Sequence, residues 1–401
     1  MRTTFQALVP TTHPHVGPTL HLLHGTKRIF FDEGEGRVKI FSCAVADHSD
    51  LADVHRSSRL GEQFSEFRDA DASGATLLID GATEGWSFSE KIAEGLHRIL
   101  EELSIAPARV LVVTTNHLFT EDYRAWCNSR NVAPVNLFIY DYWAYKIAAE
   151  LVDQAGSLEQ ALMQPIPEPK VSSKLLTYNR VFKAHRAAVV LQLQRNGELA
   201  SSHASFMPDA RPLPSDEQER MGSYLASLGW PSLTDLMPEW PELARKVPLT
   251  ADRTAEDEYL SYVFGTILAD IYAHVGFAVI TESDFGVGRV DRVTEKPFKA
   301  IANRCPFVLV GQAGQLARLS SLGLIMGEMA DPSYDTIACA DKRLATCLRL
   351  IDELSRKSLV QLEEDRRRQA DTLDANFRTL VELASQVSMG RLADKLAEAL
   401  P

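Results

Sequence analysis

Short apolar runs, each followed by an amphipathic stretch, recur through most of this 401-residue chain. Residues 75–80 (ATLLID), 109–114 (RVLVVT) and 135–140 (VNLFIY) are rich in aliphatic and β-branched side chains and show no strict apolar–polar alternation. A strand that is apolar on both faces must be covered on both, which a parallel sheet layered between helices provides. Residues 28–31 and 37–43 read as two more strands, and helical spacing fills the gaps. Within 87–103, Ile92, Leu96, Ile99 and Leu100 fall on one face, and 121–130 and 142–152 repeat the pattern. The chain therefore reads as an α/β protein from its first third.

The run Gln164-Pro-Ile-Pro-Glu-Pro169 breaks this rhythm. Proline holds the backbone extended and blocks helix, so the stretch reads as a linker between two domains. A second α/β region follows, with a strand at 174–178 and a helix at 185–194 stopped by Asn196-Gly197. Residues 199–249, rich in Pro, Ser and Trp, read as loops and short helices. Beyond them the pattern predicts a helix at 256–274, a strand at 277–281, a loop holding Gly286-Val-Gly288, a helix near 295–303, a strand at 306–311 and a helix at 315–322. From 342 onward the chain reads as helix. There Leu373, Phe377, Leu380, Leu383 and Val387 form one stripe, read as a face packed on the body of the protein, with a homodimer seam as the alternative. The expected domains are thus 1–165, 170–345 and a helical tail at 346–401.

Composition narrows the functional classes. A net charge of −12 argues against a general polyanion binder, although a local basic crevice is compatible with it. The five cysteines are scattered and never spaced C-x-x-C, which fits a reducing compartment better than a disulfide framework or thiolate zinc site. No run approaches the ~20 apolar residues of a membrane span, and the N-terminus lacks a signal-peptide pattern. The expectation is a cytoplasmic protein without a membrane span. His13, His15, His21 and His24 match no common metal spacing, and Asp69-Ala-Asp71 precedes its strand instead of ending it, so no metal site is expected. Gly286-Val-Gly288 lacks the third glycine of a dinucleotide fingerprint.

Two blocks carry chemistry. In the first, Thr281-Glu282 closes a strand and Thr294-Glu295-Lys296-Pro297 opens a helix. Thr294 suits an N-cap and Pro297 the first turn. Lysine at a helix N-terminus suits phosphate, and the neighbouring carboxylate can accept from two ribose hydroxyls. In the second block, Asn179, Arg180, Lys183 and Arg186 crowd the turn between a strand and the next helix, where they would converge on an anion. Taken singly, each block also reads as a capped helix or a basic surface turn.

Taken together, Glu282-Ser283, Val293-Thr-Glu-Lys296 and Cys305-Pro-Phe-Val-Leu-Val-Gly311 resemble the sugar-nucleotide half of GT-B glycosyltransferases, most of all the alpha-fucosyltransferase and exostosin-like families. The Asn179…Arg186 turn is similar to one those families place after the first strand of that domain. Ser283 departs from their pattern, which has Asn there, and the loop 284–292 has no counterpart in it. Tyr178-Asn-Arg180, Thr294-Glu-Lys-Pro-Phe-Lys-Ala-Ile301 and Asp331-Pro-Ser-Tyr-Asp335 also resemble segments of a group of bacterial and phage proteins without assigned substrate.

The resemblance implies two Rossmann-like domains facing across a cleft. It also implies a nucleotide-sugar co-substrate with no further cofactor, Glu295 on the donor ribose, and Lys296 and Arg186 on the diphosphate. The implied activity is metal-independent transfer of a sugar to a hydroxyl of a glycan or small molecule. The alternatives are a phage-type enzyme that glycosylates a modified DNA base and a GT-B-shaped binding or scaffold protein without turnover. The acceptor base is expected from the N-terminal domain, where Asp80, Glu84, His117 and Asp141 end strands. Glu84 and Asp80 lead because glycines flank them and allow close backbone approach.

Overall fold

The computed structural model describes residues 5–8, 19, 22, 29–30, 38–44, 66–67, 75–83, 85–102, 104–207, 211–250, 269–286, 289–327, 331–388, 394 and 397–398. The chain divides into two compact units. Unit 1 takes its described residues from 1–152, 288–292 and 382–401, and unit 2 from 153–287 and 293–381.

Unit 1 is built on a six-stranded sheet of β1 (Phe5–Leu8), β2 (Ile29–Phe30), β3 (Val38–Ala44), β4 (Thr76–Asp80), β5 (Val110–Thr114) and β6 (Asn136–Ile139). Its order is β2-β1-β3-β4-β5-β6, and every neighbouring pair is parallel. All five residues of β4 and all five of β5 are buried, as two-sided cover requires. Leu77, Ile79, Val110 and Val112 alternate onto one face, where they meet Leu96 of the helix Glu90–Glu102 and Tyr123 of the helix Phe119–Arg130. Asn131 ends the second helix in the left-handed region at φ 53°, a conformation Asn tolerates better than most residues.

Unit 2 carries β7 (Ser173–Asn179), β8 (His203–Phe206), β9 (Leu249–Thr250), β10 (Val275–Thr281) and β11 (Phe307–Val310). The order is β11-β10-β7-β8-β9, parallel except for the β8–β9 pair. All seven residues of β10 are buried. Chain order runs outward from β7 to β8 on one side and from β10 to β11 on the other, so the topology reverses between β7 and β10. In open α/β sheets that reversal leaves a crevice at the carboxyl ends of the strands.

The α/β class and parallel sheets are as expected. Differences from the sequence reading have local causes. β8 and β9 lie inside the stretch expected to hold only loops and short helices, because strands of four and two residues carry too little pattern to stand out. Of the helix expected at 256–274, the described part is Ala269–Ala273, and residues 251–268 lie outside the described residues. The proline-rich run belongs to unit 2: the Gln164 carbonyl accepts from Arg304 Nη2 at 3.2 Å. Arg366, in the run of three arginines at 366–368, is buried, and its guanidinium donates to the carbonyls of Tyr272 at 2.8 Å and Val275 at 2.6 Å. Arg367 and Arg368 do pair with Glu363 and Asp365. His13, His15, His21, His24, Asp69 and Asp71 lie outside the described residues.

Candidate functional site

In unit 2, the carboxyl ends of β7 and β10 are stitched by buried polar groups. Thr281 Oγ1 donates to Asn179 Oδ1 at 2.6 Å, and Asn179 Nδ2 donates to Thr177 Oγ1 at 3.0 Å. Glu282, which is fully buried, accepts from Thr294 N at 3.0 Å, Thr294 Oγ1 at 2.7 Å and Ser283 N at 3.1 Å. One carboxylate thereby fixes both the turn after β10 and the start of the helix Glu295–Ala302. Thr294 occupies the N-cap position, yet its hydroxyl makes no cap hydrogen bond to the helix because Glu282 takes it. Asn179, Glu282 and Thr294 thus have their polar groups taken up within the protein.

Cations surround this frame. Lys183 Nζ donates to the Ser283 carbonyl, and Lys296 Nζ lies 3.4 Å from Ser283 Oγ and 2.8 Å from Thr294 Oγ1. The same ammonium is 3.4 Å from Glu295 Oε1 and 3.8 Å from Glu282 Oε2. Two lysines from different elements, one before the helix Ala184–Arg195 and one inside Glu295–Ala302, therefore converge on Ser283. Arg186 is buried and bonds only neutral carbonyls, Val181 O at 3.2 Å and Glu282 O at 3.3 Å, while its Nε has no hydrogen-bond partner among the described residues. Arg180 is exposed in the same turn.

His185 faces the Glu282 carbonyl at 2.9 Å and stacks on Phe285 with centroids 4.9 Å apart. Burial first, and then the charges of Arg186, Lys183 and Lys296, push its imidazole down to about 3, so the ring is neutral and donates to that carbonyl. Burial pushes Glu295 upward, but Lys296 and Lys299 outweigh it and hold the carboxyl below its ordinary range. The turn thus gathers Lys183, Arg186 and Lys296 around the Glu282 and Glu295 carboxylates, a set of groups suited to phosphate oxygens and a neighbouring diol.

In unit 1, Asp80 ends β4 and is buried. It accepts from Thr19 N at 2.7 Å, Thr19 Oγ1 at 3.0 Å and Ala82 N at 3.1 Å. Burial raises its carboxyl to about 6 against those bonds. Glu84 lies outside the described residues. Asp141, after β6, meets His117, after β5: Nε2 of the imidazole is 3.2 Å from Asp141 Oδ1. An ionised carboxylate only accepts, so Nε2 carries the proton and Nδ1 keeps its lone pair. Asp141 is nearly buried and His117 is 22% exposed, so the carboxylate orients a ring that solvent can reach. A carboxylate-oriented histidine of this kind can act as a general base.

Sequence reasoning therefore drew together Lys183, Arg186, Glu295 and Lys296, and ranked Asp141 behind Asp80 and Glu84. It marked Ser283 only as a departure from the resembled pattern, gave His185 no role, and left His117 below the acids. The signals were present: Ser283 follows a strand end, and His117 follows a Thr114-Thr-Asn turn at another. Among the described residues, no group of three or more His, Cys, Asp or Glu side chains is arranged to hold a metal ion, and no helix is long and apolar enough to cross a membrane.

Each unit is thus α/β with a mainly parallel sheet, unit 2 carrying a cationic turn at its topological switch point and unit 1 a histidine–carboxylate pair at its strand ends. No family model and no curated protein matches the sequence, so its likeness to the alpha-fucosyltransferase and exostosin-like families stays one of short motifs. Among solved structures, the chain is similar to an α,α-trehalose 6-phosphate synthase from Burkholderia multivorans (11% identity, 95% of this chain and 80% of that one, TM-score 0.38). It is also similar to a UDP-forming α,α-trehalose-phosphate synthase from Burkholderia vietnamiensis (11% identity, 95% and 84%, TM-score 0.39). The N-terminal domain of trehalose-6-phosphate phosphatase from Candida albicans matches at 9% identity over 99% of this chain and 98% of that one, with TM-score 0.39. Likeness at this distance transfers no substrate or residue role, and function rests on the side chains themselves.

Proposed function

We propose that the protein is a glycosyltransferase that takes a sugar from a nucleoside-diphosphate sugar, unit 2 carrying the groups that bind the donor and unit 1 a candidate acceptor base. The observation that carries this reading is the convergence of Lys183 and Lys296 on Ser283 at the β7/β10 switch point. Lys183, Lys296 and Arg186 take the diphosphate, and Glu295 takes the ribose hydroxyls. Asn179, Glu282 and Thr294 hold the turn that presents these groups, and Arg180 adds charge at its exposed side. His117, oriented by Asp141, takes the proton of the acceptor hydroxyl on Nδ1.

The chemistry divides accordingly. The acceptor oxygen forms a bond to the anomeric carbon while the bond from that carbon to the diphosphate oxygen breaks. The hydroxyl proton goes to His117, and the electron pair goes to the leaving diphosphate. Charge grows on that diphosphate in the transition state, and preorganised cations stabilise it there more than in the ground state.

A panel of sugar nucleotides and hydroxyl acceptors, followed by release of nucleoside diphosphate, tests the proposal. Turnover by at least one pair is expected, with His117→Ala reducing kcat by 10²-fold or more while donor Kd stays within a factor of two. Absence of any nucleotide release, together with no thermal stabilisation by any sugar nucleotide, rejects it.

A further inference from the structure

Beside His117 sits a side chain that neither half of the proposed chemistry uses. Asn116 is fully buried at the carboxyl end of β5. Its Nδ2 donates to the Trp86 carbonyl at 2.8 Å and the Arg289 carbonyl at 3.2 Å. Its Oδ1 accepts from Leu118 N at 3.2 Å and from Asp291 N at 2.9 Å. Two donors meet two acceptors, so the carboxamide has a single satisfied orientation and its main hydrogen-bonding capacity is filled. Asp cannot supply the two donated bonds, and no hydroxyl side chain can supply all four.

The placement of these bonds is informative. Leu118 follows His117 in sequence, and the His117 N–H itself donates to the Asp291 carbonyl at 2.9 Å. Asn116 therefore grips both the residue after His117 and the segment 289–291 to which the His117 backbone is bonded. Residues 289–292 form neither helix nor strand and belong to unit 1, whereas the chain on either side of 288–292 belongs to unit 2. A passing segment of that kind has no ladder of its own in the sheet, and Asn116 supplies side-chain bonds that fix it. Tight fixation of a backbone is what a general base needs, since a displacement of about 1 Å can cost ~10²-fold in rate.

We propose that Asn116 is a positioning residue for His117: by bonding Leu118 N and Asp291 N it holds the imidazole in register with Asp141. The inference rests on the assignment of His117 as acceptor base, but its test needs no turnover. In the full-length protein, the His117 Nε2–H proton, bonded to Asp141, gives a downfield NMR resonance, identified by its loss in His117→Gln and Asp141→Ala. Asn116→Ala is expected to speed exchange of that proton with water at least tenfold, while Asn116→Asp, which keeps both acceptor bonds, is expected to retain it. An unchanged resonance and an exchange rate within twofold of wild type in Asn116→Ala overturns the proposal. If Asn116→Ala does not fold, Asn116→Asp decides: retention of the resonance supports the proposal, and its loss overturns it. Failure of the transferase reading is seen separately, as absence of turnover by the wild-type protein.

Discussion

Replacing Glu282 by Gln is the sharpest single perturbation of the donor turn. The wild-type carboxylate accepts three hydrogen bonds, from Thr294 N, Thr294 Oγ1 and Ser283 N, at 2.7–3.1 Å, and is fully buried. A glutamine of the same shape keeps one accepting oxygen, on Thr294 N. Its amide group then faces the Thr294 hydroxyl and the Ser283 N–H, so a donor meets two donors. The hydroxyl can rotate and turn acceptor, but the Ser283 N–H cannot, and a buried unsatisfied N–H costs about 1–3 kcal/mol. Loss of a charge-assisted bond to Thr294 adds about 1–2 kcal/mol, for a total near 3 kcal/mol in unit 2. For a unit of this size that corresponds to a fall of roughly 6–12 °C in its thermal transition. Differential scanning calorimetry reads the shift, and titration of the folded variant with nucleoside diphosphate reads the turn. Weakened affinity is expected, because Ser283 and Lys296 lose their common anchor. A variant within 1 °C of wild type, with unchanged affinity, would refute the reasoning that Glu282 ties strand end to helix start.

Three further outcomes follow from the geometry. Burial raises the Asp80 carboxyl in the folded protein to about 6, above its ordinary value of 3.8, so the folded state binds the extra proton. Unit 1 should therefore lose about 3 kcal/mol of stability as pH rises from about 4 to about 6.5, and Asp80→Asn should flatten that slope in denaturant titrations. Gly85 has φ +52°, and a Cβ there would lie 2.2 Å from Thr115 Oγ1 and 2.6 Å from Arg292 Cδ. Gly85→Ala should accordingly destabilise unit 1 by roughly 2–4 kcal/mol in thermal melts. Arg366→Met removes a buried guanidinium from the carbonyls of Tyr272 and Val275. A loss of about 3 kcal/mol is expected in unit 2 from calorimetry, because those carbonyls are left without that donor.

How far the sequence revealed this arrangement depends on how local the determinants are. β5 and β10 were legible because unbroken apolar runs such as VLVVT and VGFAVIT have few alternatives to a strand covered on both sides. β8 was not, since HASF becomes a strand only by pairing with β7 and β9. Lys183, Arg186 and Lys296 could be grouped because each follows a strand end, where α/β folds collect ligands. The role of Thr294 misled, because propensity reports the N-cap position and not the competing Glu282 carboxylate 12 residues away. His117 and Asp141 became a pair only through the β5–β6 register, which no spacing along the chain encodes. Arg366 was hidden for the same reason: Arg367 and Arg368 pair with nearby acids, while the buried contacts of Arg366 are long-range.

The central claim is that the turn around Ser283, held by Glu282, binds a diphosphate. Isothermal titration of the full-length protein with the five common nucleoside diphosphates and their monophosphates tests it most directly, alongside Lys183→Met and Lys296→Met. The account predicts that at least one diphosphate binds ten-fold or more tighter than its monophosphate, and that each lysine variant loses most of that difference. Equal affinity for mono- and diphosphates, or no binding of either by a folded wild-type protein, would contradict it.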